Sequence, residues 1–351
     1  MNVIHIESGL GNQMLSYCEY LAMKHMNPGV DTYIETACYS IPECNDVFFQ
    51  WNGYELENVF NIKAPNIKDV LDEKDWDEFI RSLRKSQFWL KNWNYPRYFP
   101  QAFERIGFHL TSVHDDFESP EYVRRNDVSS FSPLKRWIKG LYLYETLKSY
   151  RQMVFGQRRR MSQNYTRRLF FESADNLFAG QQLLFKFYGS GIETIEKEIR
   201  KSFVFPVIND SRNLSVLDAI EGSNSVALHI RRGDLLGLNR PCYEHGYFRR
   251  AVKYIRRHVD RPVFFVFSDP GSIEWIVQND KILGLNSGLD KIHYITWNKG
   301  NESYRDMQLM ARCKHQIITH STFGWWGAWL NENPDKITIS PDYRYNTKLF
   351  M

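Results

Sequence analysis

The sequence lacks any long hydrophobic run, with no uninterrupted apolar stretch approaching about 18 residues. A membrane-spanning helix needs about 20 predominantly apolar residues, so no transmembrane segment is predicted. The opening residues, MNVIHIESGLGNQ, also lack the basic segment and following apolar run of a secretory signal. From these two absences we expect a cytosolic protein.

Cysteine is sparse and carries no recognisable spacing. The five cysteines, at 18, 38, 44, 242 and 313, form neither CxxC pairs nor a zinc-ligand pattern, which predicts reduced, structural thiols. The sequence also lacks a Walker loop, an HExxH motif, a nucleophile elbow and a complete GxGxxG motif. These absences argue against P-loop NTPases, zincin proteases and α/β-hydrolases.

What is present is the composition of a globular protein of more than one domain. Hydrophobic residues make up 43% and charged residues 25%, and the net charge of +4 argues only weakly for an anionic partner. The 351 residues exceed the usual size of one hydrophobic core, so we expect two domains with a cleft between them. We place them at 1–204 and 205–351, with a basic helical insertion at about 62–172 in the first.

Strand and helix patterns alternate in both halves. NVIHI, the glycine turn SGLGNQ, an amphipathic helix and DTYIET predict a strand, turn, helix and strand at the start. Beyond residue 205, strands are predicted at SVALHI, PVFFVF, IHYIT, HQIIT and KITIS, with helices between them. The alternation predicts an α/β protein whose C-terminal domain is doubly wound, with ligands bound beyond the carboxyl ends of its strands.

A basic stretch lies in the middle of the chain. From Pro133 to Arg168 there are ten Lys or Arg residues and one acid, Glu145. The pattern is typical of a solvated helix, and equally of a surface for an anionic membrane, contacted peripherally, or for an acidic, lipid-linked substrate. Its aromatic residues follow a helix face rather than a stacking platform, so we expect no nucleic-acid partner.

Charged and hydroxyl side chains follow three of the predicted C-terminal strands. The set comprises His229, Arg231, Arg232, Asp234, Asp269, Ser321 and Thr322. Arginine binds phosphate bidentately, and a helix N-terminus beginning with Ser or Thr offers backbone N–H donors to the same group. Together they predict a diphosphate pocket, and a carboxylate able to accept from guanine would make the ligand a GDP derivative. Singly, RRGD is also typical of a salt-bridged turn, STFGWWGAW of a capped helix, and SDP of a plain turn.

Two acidic motifs and the glycine turn complete the candidate features. DWD at 75–77 resembles the Asp-x-Asp metal signature of some sugar transferases, but it lies in an acidic helical run, and HDDFE at 114–118 follows no strand. We therefore expect no metal site. The glycines of SGLGNQ allow close backbone approach to a ligand, with Asn12 and Gln13 supplying amides on the cleft wall opposite the diphosphate pocket.

Five blocks resemble, in order, the conserved blocks of glycosyltransferase family 11, the bacterial-type α-1,2-fucosyltransferases. They are SGLGNQMLSYCEYLA, VALHIRRGDL, YFRRAVKYI, FFVFSDPGSIEWI and YRDMQLMARCKHQIITHSTFGWWGAWLNENPDKITISP. The resemblance covers about the first 35 residues and most of 175–345. It implies two facing Rossmann-like domains of the GT-B type. The implied activity is an inverting, metal-independent transfer of L-fucose from GDP-β-L-fucose to O2 of a terminal galactose in a glycan or lipid-linked oligosaccharide.

The resemblance also implies roles for single residues. Arg231 would hold the leaving β-phosphate, and Asn12 would lie near the fucose. The remaining donor-binding positions would be His229 and Asp269 at the guanine, and Ser321, Thr322 and Phe323 at the phosphates. The general base stays open among Asp234, Glu7 and His5, and Asp234 is also a plausible loop-fixing partner of an arginine.

The sequence departs from the family pattern at Ser8, where a second glycine is common. Two other functions compete with fucosyl transfer. One is a transferase that uses a different nucleotide sugar. The other is a non-catalytic polyanion-binding protein organised around the basic stretch, which leaves the strand-end residues unexplained.

Overall fold

The computed structural model describes residues 1–47, 52–91, 93–113, 147, 175–179, 192–342 and 349–350. The HDDFE motif and all of the basic stretch except Leu147 lie outside these residues. No helix within the described ranges is long and apolar enough to cross a membrane. The five cysteines are all buried free thiols.

The N-terminal part of the chain forms a parallel four-stranded sheet. Its strands are β1 (Asn2–His5), β2 (Thr32–Glu35), β3 (Thr111–Val113) and β4 (Asn176–Phe178), in the order β2-β1-β4-β3. Every residue of β1 is buried, as expected for a central parallel strand with both faces covered. The predicted strands at NVIHI and DTYIET are therefore confirmed.

The helices of this part pack on the sheet through apolar stripes. They are α1 (Leu10–Met26), α2 (Pro42–Val47), α3 (Leu56–Phe60), α4 (Glu73–Ser86) and α5 (Tyr95–Arg105). Phe79 and Leu83 of α4 and Phe99 and Phe103 of α5 are four residues apart, which places each pair on one buried helix face. The described part of 62–172 thus contributes β3 to the first sheet and α4 and α5 to the layer packed beside it. Because β3 ends at Val113, directly before HDDFE, the expectation that no strand precedes that motif was wrong. The domain boundaries themselves stay a prediction.

A second parallel sheet has six strands in the order β10-β9-β8-β5-β6-β7. They are β5 (Asn224–Ile230), β6 (Pro262–Ser268), β7 (Lys291–Ile295), β8 (His315–Ile317), β9 (Thr338–Ser340) and β10 (Leu349–Phe350). From β5 the chain builds outward through β6 and β7, then returns to the other side of β5 for β8, β9 and β10. The doubly wound domain is confirmed, and its topological switch point lies between β5 and β8.

The helices of the second part cover both faces of this sheet. They are α6 (Glu196–Ser202), α7 (Ser211–Glu221), α8 (Leu236–Glu244), α9 (Tyr247–His258), α10 (Ile273–Gln278), α11 (Asp280–Leu283), α12 (Tyr304–Arg312) and α13 (Thr322–Trp329). Those predicted near 246–258, 273–278, 303–312 and 324–331 are confirmed. Helix α8 was not predicted, because its internal Pro241 interrupts the helical pattern.

The two sheets share one hydrophobic core, which includes Met14 and Cys18 of α1 and Trp325 and Trp326 of α13. The Trp326 indole N–H donates to the Gly11 carbonyl at 2.9 Å, and its ring meets Phe203 edge-on. This packing brings the start of α1 against the start of α13. The carboxyl ends of β1 and β8, which lead into those helices, therefore face one region.

Candidate active site

Arg231 follows β5 at the switch point and is held by an acidic partner. Asp234 Oδ1 accepts from Arg231 Nε at 3.0 Å and from Nη2 at 2.9 Å. The Arg231 side chain keeps 22% exposure. Because a guanidinium has five N–H donors, this pair orients Arg231 and still leaves donors for a ligand.

The neighbouring Arg232 points elsewhere. Its guanidinium lies 3.5 Å from the centre of the Trp275 ring and 5.3 Å from that of Tyr243. The sequence predicted that Asp234 could be the loop-fixing partner of an arginine, and in the structure that arginine is Arg231, not Arg232. Arg231 and Arg232 are successive residues leaving β5, so their side chains point in opposite directions.

Asp269, at the end of β6, closes the loop that follows β5. Its carboxylate accepts from the backbone N–H groups of Arg232 at 2.6 Å and Gly233 at 2.9 Å, and from Ser272 Oγ at 2.7 Å. The residue is 5% exposed. Three of its lone-pair sites are thus filled inside the protein, and its contact with a guanine stays a prediction.

His229 is buried beneath α13. Its side chain has Nδ1 3.2 Å from Thr319 Oγ1, and the residue is 3% exposed. Burial, and to a smaller extent the positive charge of Arg231, lower the pKa of His229 to about 3, so the ring is neutral at ordinary pH. The side chain packs against Gly324, where any Cβ would collide with the imidazole. Contact between His229 and a nucleotide base stays a prediction. Because α13 covers the ring, a base would have to contact the backbone of His229, or α13 would have to move.

The segment after β8 presents a helix N-terminus. Ser321 is the extended N-cap of α13 and makes no side-chain capping bond, while Thr322 and Phe323 are half-buried. The first N–H groups of a helix have no partners within it, and the helix dipole favours a negative charge there. This end of α13 is therefore suited to a phosphate.

The glycine turn lies directly against that N-terminus. An ideal Cβ built on Gly11 would be 2.7 Å from Thr322 Oγ1 and 2.8 Å from the Phe323 backbone nitrogen. Asn12, the next residue, is half-buried beside this contact. Ser8 has a φ of +66°, the left-handed region, which explains why glycine is common at this position of the family pattern. The turn therefore touches the start of α13 instead of facing it across a gap.

Gln13 and Glu55 hold the turn in place, and sequence reasoning missed Glu55. Gln13 Nε2 donates to the carbonyls of Ser8 at 2.9 Å and Gly53 at 2.8 Å, while its Oε1 accepts from the Glu55 N–H at 2.8 Å. Glu55 Oε2 in turn accepts from the Leu10 N–H at 3.1 Å, which caps α1. Burial raises the pKa of Glu55.

The two other candidates for the general base have different surroundings. His5 Nδ1 lies 2.5 Å from Glu35 Oε2, and both side chains are inaccessible to solvent. Glu7, two residues further along, is half-buried. Burial raises the pKa values of Tyr39 and Tyr95, and the negative charge of Glu7 is a further cause of both shifts. Of these two, only Glu7 is accessible.

The acidic motif DWD lies on helix α4, with Asp75 half-buried and Asp77 exposed. Within the described part of the chain, no group of three or more His, Cys, Asp or Glu residues is placed to hold a metal ion.

The fold and site define an α/β protein of two parallel sheets, with an arginine and a helix N-terminus at the switch point of the second. The chain belongs to glycosyl transferase family 11, whose sequence profile matches residues 173–350. The resemblance seen in the sequence is thereby confirmed.

The relatives are matched over part of their length. An alpha-1,2-colitosyltransferase of Escherichia coli is 37% identical over 152 residues, 42% of this chain and 49% of the relative. The O-antigen biosynthesis glycosyltransferase WbnK of Escherichia coli is 37% identical over 34% of this chain and 39% of its own. Human galactoside alpha-(1,2)-fucosyltransferase 1 is 28% identical over 30% of this chain and 28% of its own length. The match thus spans about half or less of each relative.

Among solved structures, the alpha-1,6-fucosyltransferase NodZ co-crystallised with GDP is similar with a TM-score of 0.44. It has 13% identity, over 94% of this chain and 91% of NodZ. POFUT1 in complex with GDP-fucose gives a TM-score of 0.41 at 10% identity, over 99% of this chain and 98% of POFUT1.

Proposed function

We propose that the protein is an inverting fucosyltransferase that moves L-fucose from GDP-β-L-fucose to a glycan hydroxyl, O2 of a terminal galactose. The observation that carries the proposal is the meeting of Arg231, the α13 N-terminus and the Gly11 turn at one switch point. The named galactoside alpha-(1,2)-fucosyltransferases among the relatives support the donor and the linkage.

Arg231 and α13 would act on the leaving group. As the bond from fucose to the β-phosphate oxygen breaks, negative charge builds on the GDP diphosphate. A guanidinium already oriented by Asp234 and the N–H groups of Thr322 and Phe323 stabilise that charge more strongly than they stabilise the ground state, which lowers the barrier. Asn12, next to Gly11, is assigned to the fucose side of this pocket.

The acceptor proton needs a base on the other face of the sugar. In an inverting transfer the acceptor oxygen attacks opposite the leaving diphosphate. Asp234 is bound to Arg231, on the proposed diphosphate side, so its role is to hold the arginine. Glu7, at the end of β1 on the side of the first sheet, is assigned as the base.

A second candidate function keeps the site and changes the donor. The colitosyltransferase is as similar as the O-antigen relative, and colitose is a fucose without its 3-hydroxyl group. GDP-colitose is therefore the alternative donor. The name of the O-antigen relative favours an acceptor within a surface polysaccharide unit, which includes lipid-linked oligosaccharides.

The test is turnover of purified protein with GDP-fucose or GDP-colitose and a panel of galactosides, with linkage analysis of the product. GDP, but not UDP or ADP, is expected to raise the melting temperature. Turnover is expected to persist in a chelator. Activity lost on chelation, or absent with every GDP-sugar, would refute the proposal.

Arg231→Ala is expected to lower kcat by about 100-fold or more, because a lost charge-stabilising donor typically costs that much, while the fold is retained. Arg312→Ala is the matched control. Arg312 is also paired with a single acid, Glu221, but lies just before β8, at the opposite edge of the sheet. Equal activity of the two variants would contradict the role of Arg231.

A further inference from the structure

One buried side-chain amide joins the two loops of the candidate site. Asn239, in α8, is 0% exposed. Its Nδ2 donates to the carbonyls of Arg231 at 3.1 Å and His320 at 3.2 Å, and its Oδ1 accepts from the His320 N–H at 2.8 Å. The amide therefore bridges the backbone that follows β5 and the backbone that follows β8.

The bridge requires an amide. A planar carboxamide supplies two donors and an acceptor on opposite sides of one group, and Asn239 uses all three functions. An aspartate would keep the acceptor and lose both donors, and an apolar side chain would leave the buried backbone groups without partners. Neither change preserves the link between the two loops.

A second donor on α8 reinforces one end of the bridge. The Tyr243 hydroxyl donates to the Arg231 carbonyl at 2.7 Å. Asn239 and Tyr243 are four residues apart and so lie on one face of α8. The carbonyl of Arg231 thus receives two hydrogen bonds from α8, and one of the two donors also holds His320, directly before the N-cap of α13.

We propose that Asn239 is a positioning residue that fixes Arg231 relative to the N-terminus of α13, so that both groups meet the same diphosphate. The inference rests on the proposed function. Arg231 and Thr322 approach the site from different strands, and a misplacement of about 1 Å between reacting groups can cost about 100-fold in rate. A single rigid amide between the two loops removes that freedom.

The experiment compares Asn239→Asp with Asn331→Asp. Asn331 is a matched control, because it is also buried, at 3% exposure, and its Nδ2 donates to the Cys313 carbonyl. Like Asn239, it uses Oδ1 as an acceptor, here from Asn333 N at 2.7 Å, but it lies at the other edge of the sheet. Asn239→Asp is expected to lower kcat by about 10- to 100-fold, as loss of an orienting partner does. Asn331→Asp is expected to leave kcat unchanged below its melting temperature.

A double-mutant cycle separates positioning from general destabilisation. If Asn239 acts through Arg231, then adding Asn239→Asp to Arg231→Ala costs much less than it costs in the wild type. A fully additive loss would overturn the proposal. If Asn239→Asp fails to fold, Tyr243→Phe serves in the same cycle, since it removes one donor and keeps the ring stacked on Phe248.

Hydrogen exchange tests the bridge without any substrate. In Asn239→Asp, segments 229–235 and 318–325 are expected to exchange faster together, while the remaining segments keep the wild-type rate. Tyr243→Phe, which removes a donor to Arg231 alone, is expected to speed exchange in 229–235 only. Unchanged exchange in either segment of Asn239→Asp would overturn the bridge. A wild-type protein that transfers no sugar, yet shows this exchange pattern in the variants, would refute the proposed function alone.

Discussion

The contact between Gly11 and α13 can be tested with a single methyl group. In Gly11→Ala the added Cβ would lie 2.7 Å from Thr322 Oγ1, 2.8 Å from the Phe323 backbone nitrogen and 2.9 Å from the Thr322 carbonyl carbon. The hydroxyl can rotate away. The two backbone atoms cannot, so the start of α13 has to shift.

The size of the effect follows from two opposing contributions. Overpacking of this kind costs about 1–3 kcal/mol, whereas alanine is better than glycine inside a helix by about 1 kcal/mol. We therefore expect a net loss of stability of about 0–2 kcal/mol. The turnover rate of Gly11→Ala is also expected to fall, by about 10-fold or more, because the displaced N–H groups are those assigned to the diphosphate.

Gly9→Ala is the matched control within the same turn. Gly9 has no atom within 4 Å of an ideal Cβ and an ordinary φ of −81°. Thermal unfolding, GDP binding and turnover are to be measured for both variants. A Gly11→Ala protein as active as Gly9→Ala, with equal affinity for GDP, would show that the start of α13 does not bind the donor.

Three further substitutions test buried and accessible carboxylates. Burial raises the pKa of Asp306 to about 7 against a hydrogen bond from Asn298, so its contribution to stability is full below about pH 4 and is lost as pH rises through 7. Asp306→Asn is expected to raise stability at pH 8 by about 1–4 kcal/mol and to have no such effect at pH 4; equal gains in thermal melts at both pH values would contradict this account. Glu7→Gln is expected to lower kcat by about 100-fold or more with unchanged GDP affinity, whereas Asp234→Asn, which loosens Arg231, weakens GDP binding in calorimetry. The reverse pattern would transfer the role of base to Asp234.

Local sequence pattern was sufficient for the elements that are buried on both faces. SVALHI and PVFFVF are continuous apolar runs, and both became central strands, β5 and β6. Position at a strand end also brought Arg231, Asp269 and Ser321 into one region, because parallel strands end at the same sheet edge. Helix α8 was missed, and with it the side chains that hold Arg231, because Pro241 hides its helical character.

Which partner each strand-end side chain takes could not be predicted in the same way. Asp269 meets the N–H groups of Arg232 and Gly233 because β6 lies beside β5 in the sheet. His229 is covered because α13 presents Gly324 to its ring. Both outcomes depend on strand order and helix packing, and no local pattern in HIRRGD or SDP encodes either.

The amino-acid sequence alone determined the positions of the central strands, the chemistry at their ends and the resemblance to a glycosyltransferase family. The tertiary structure was needed for the contacts that assemble the site. Trp326 and Gly11 are 315 residues apart, and Asn239 and His320 are 81 apart. Hydrophobic periodicity reports only which face of an element is buried. The partner buried against that face depends on how distant elements pack, and here that packing sets Arg231, α13 and the glycine turn side by side.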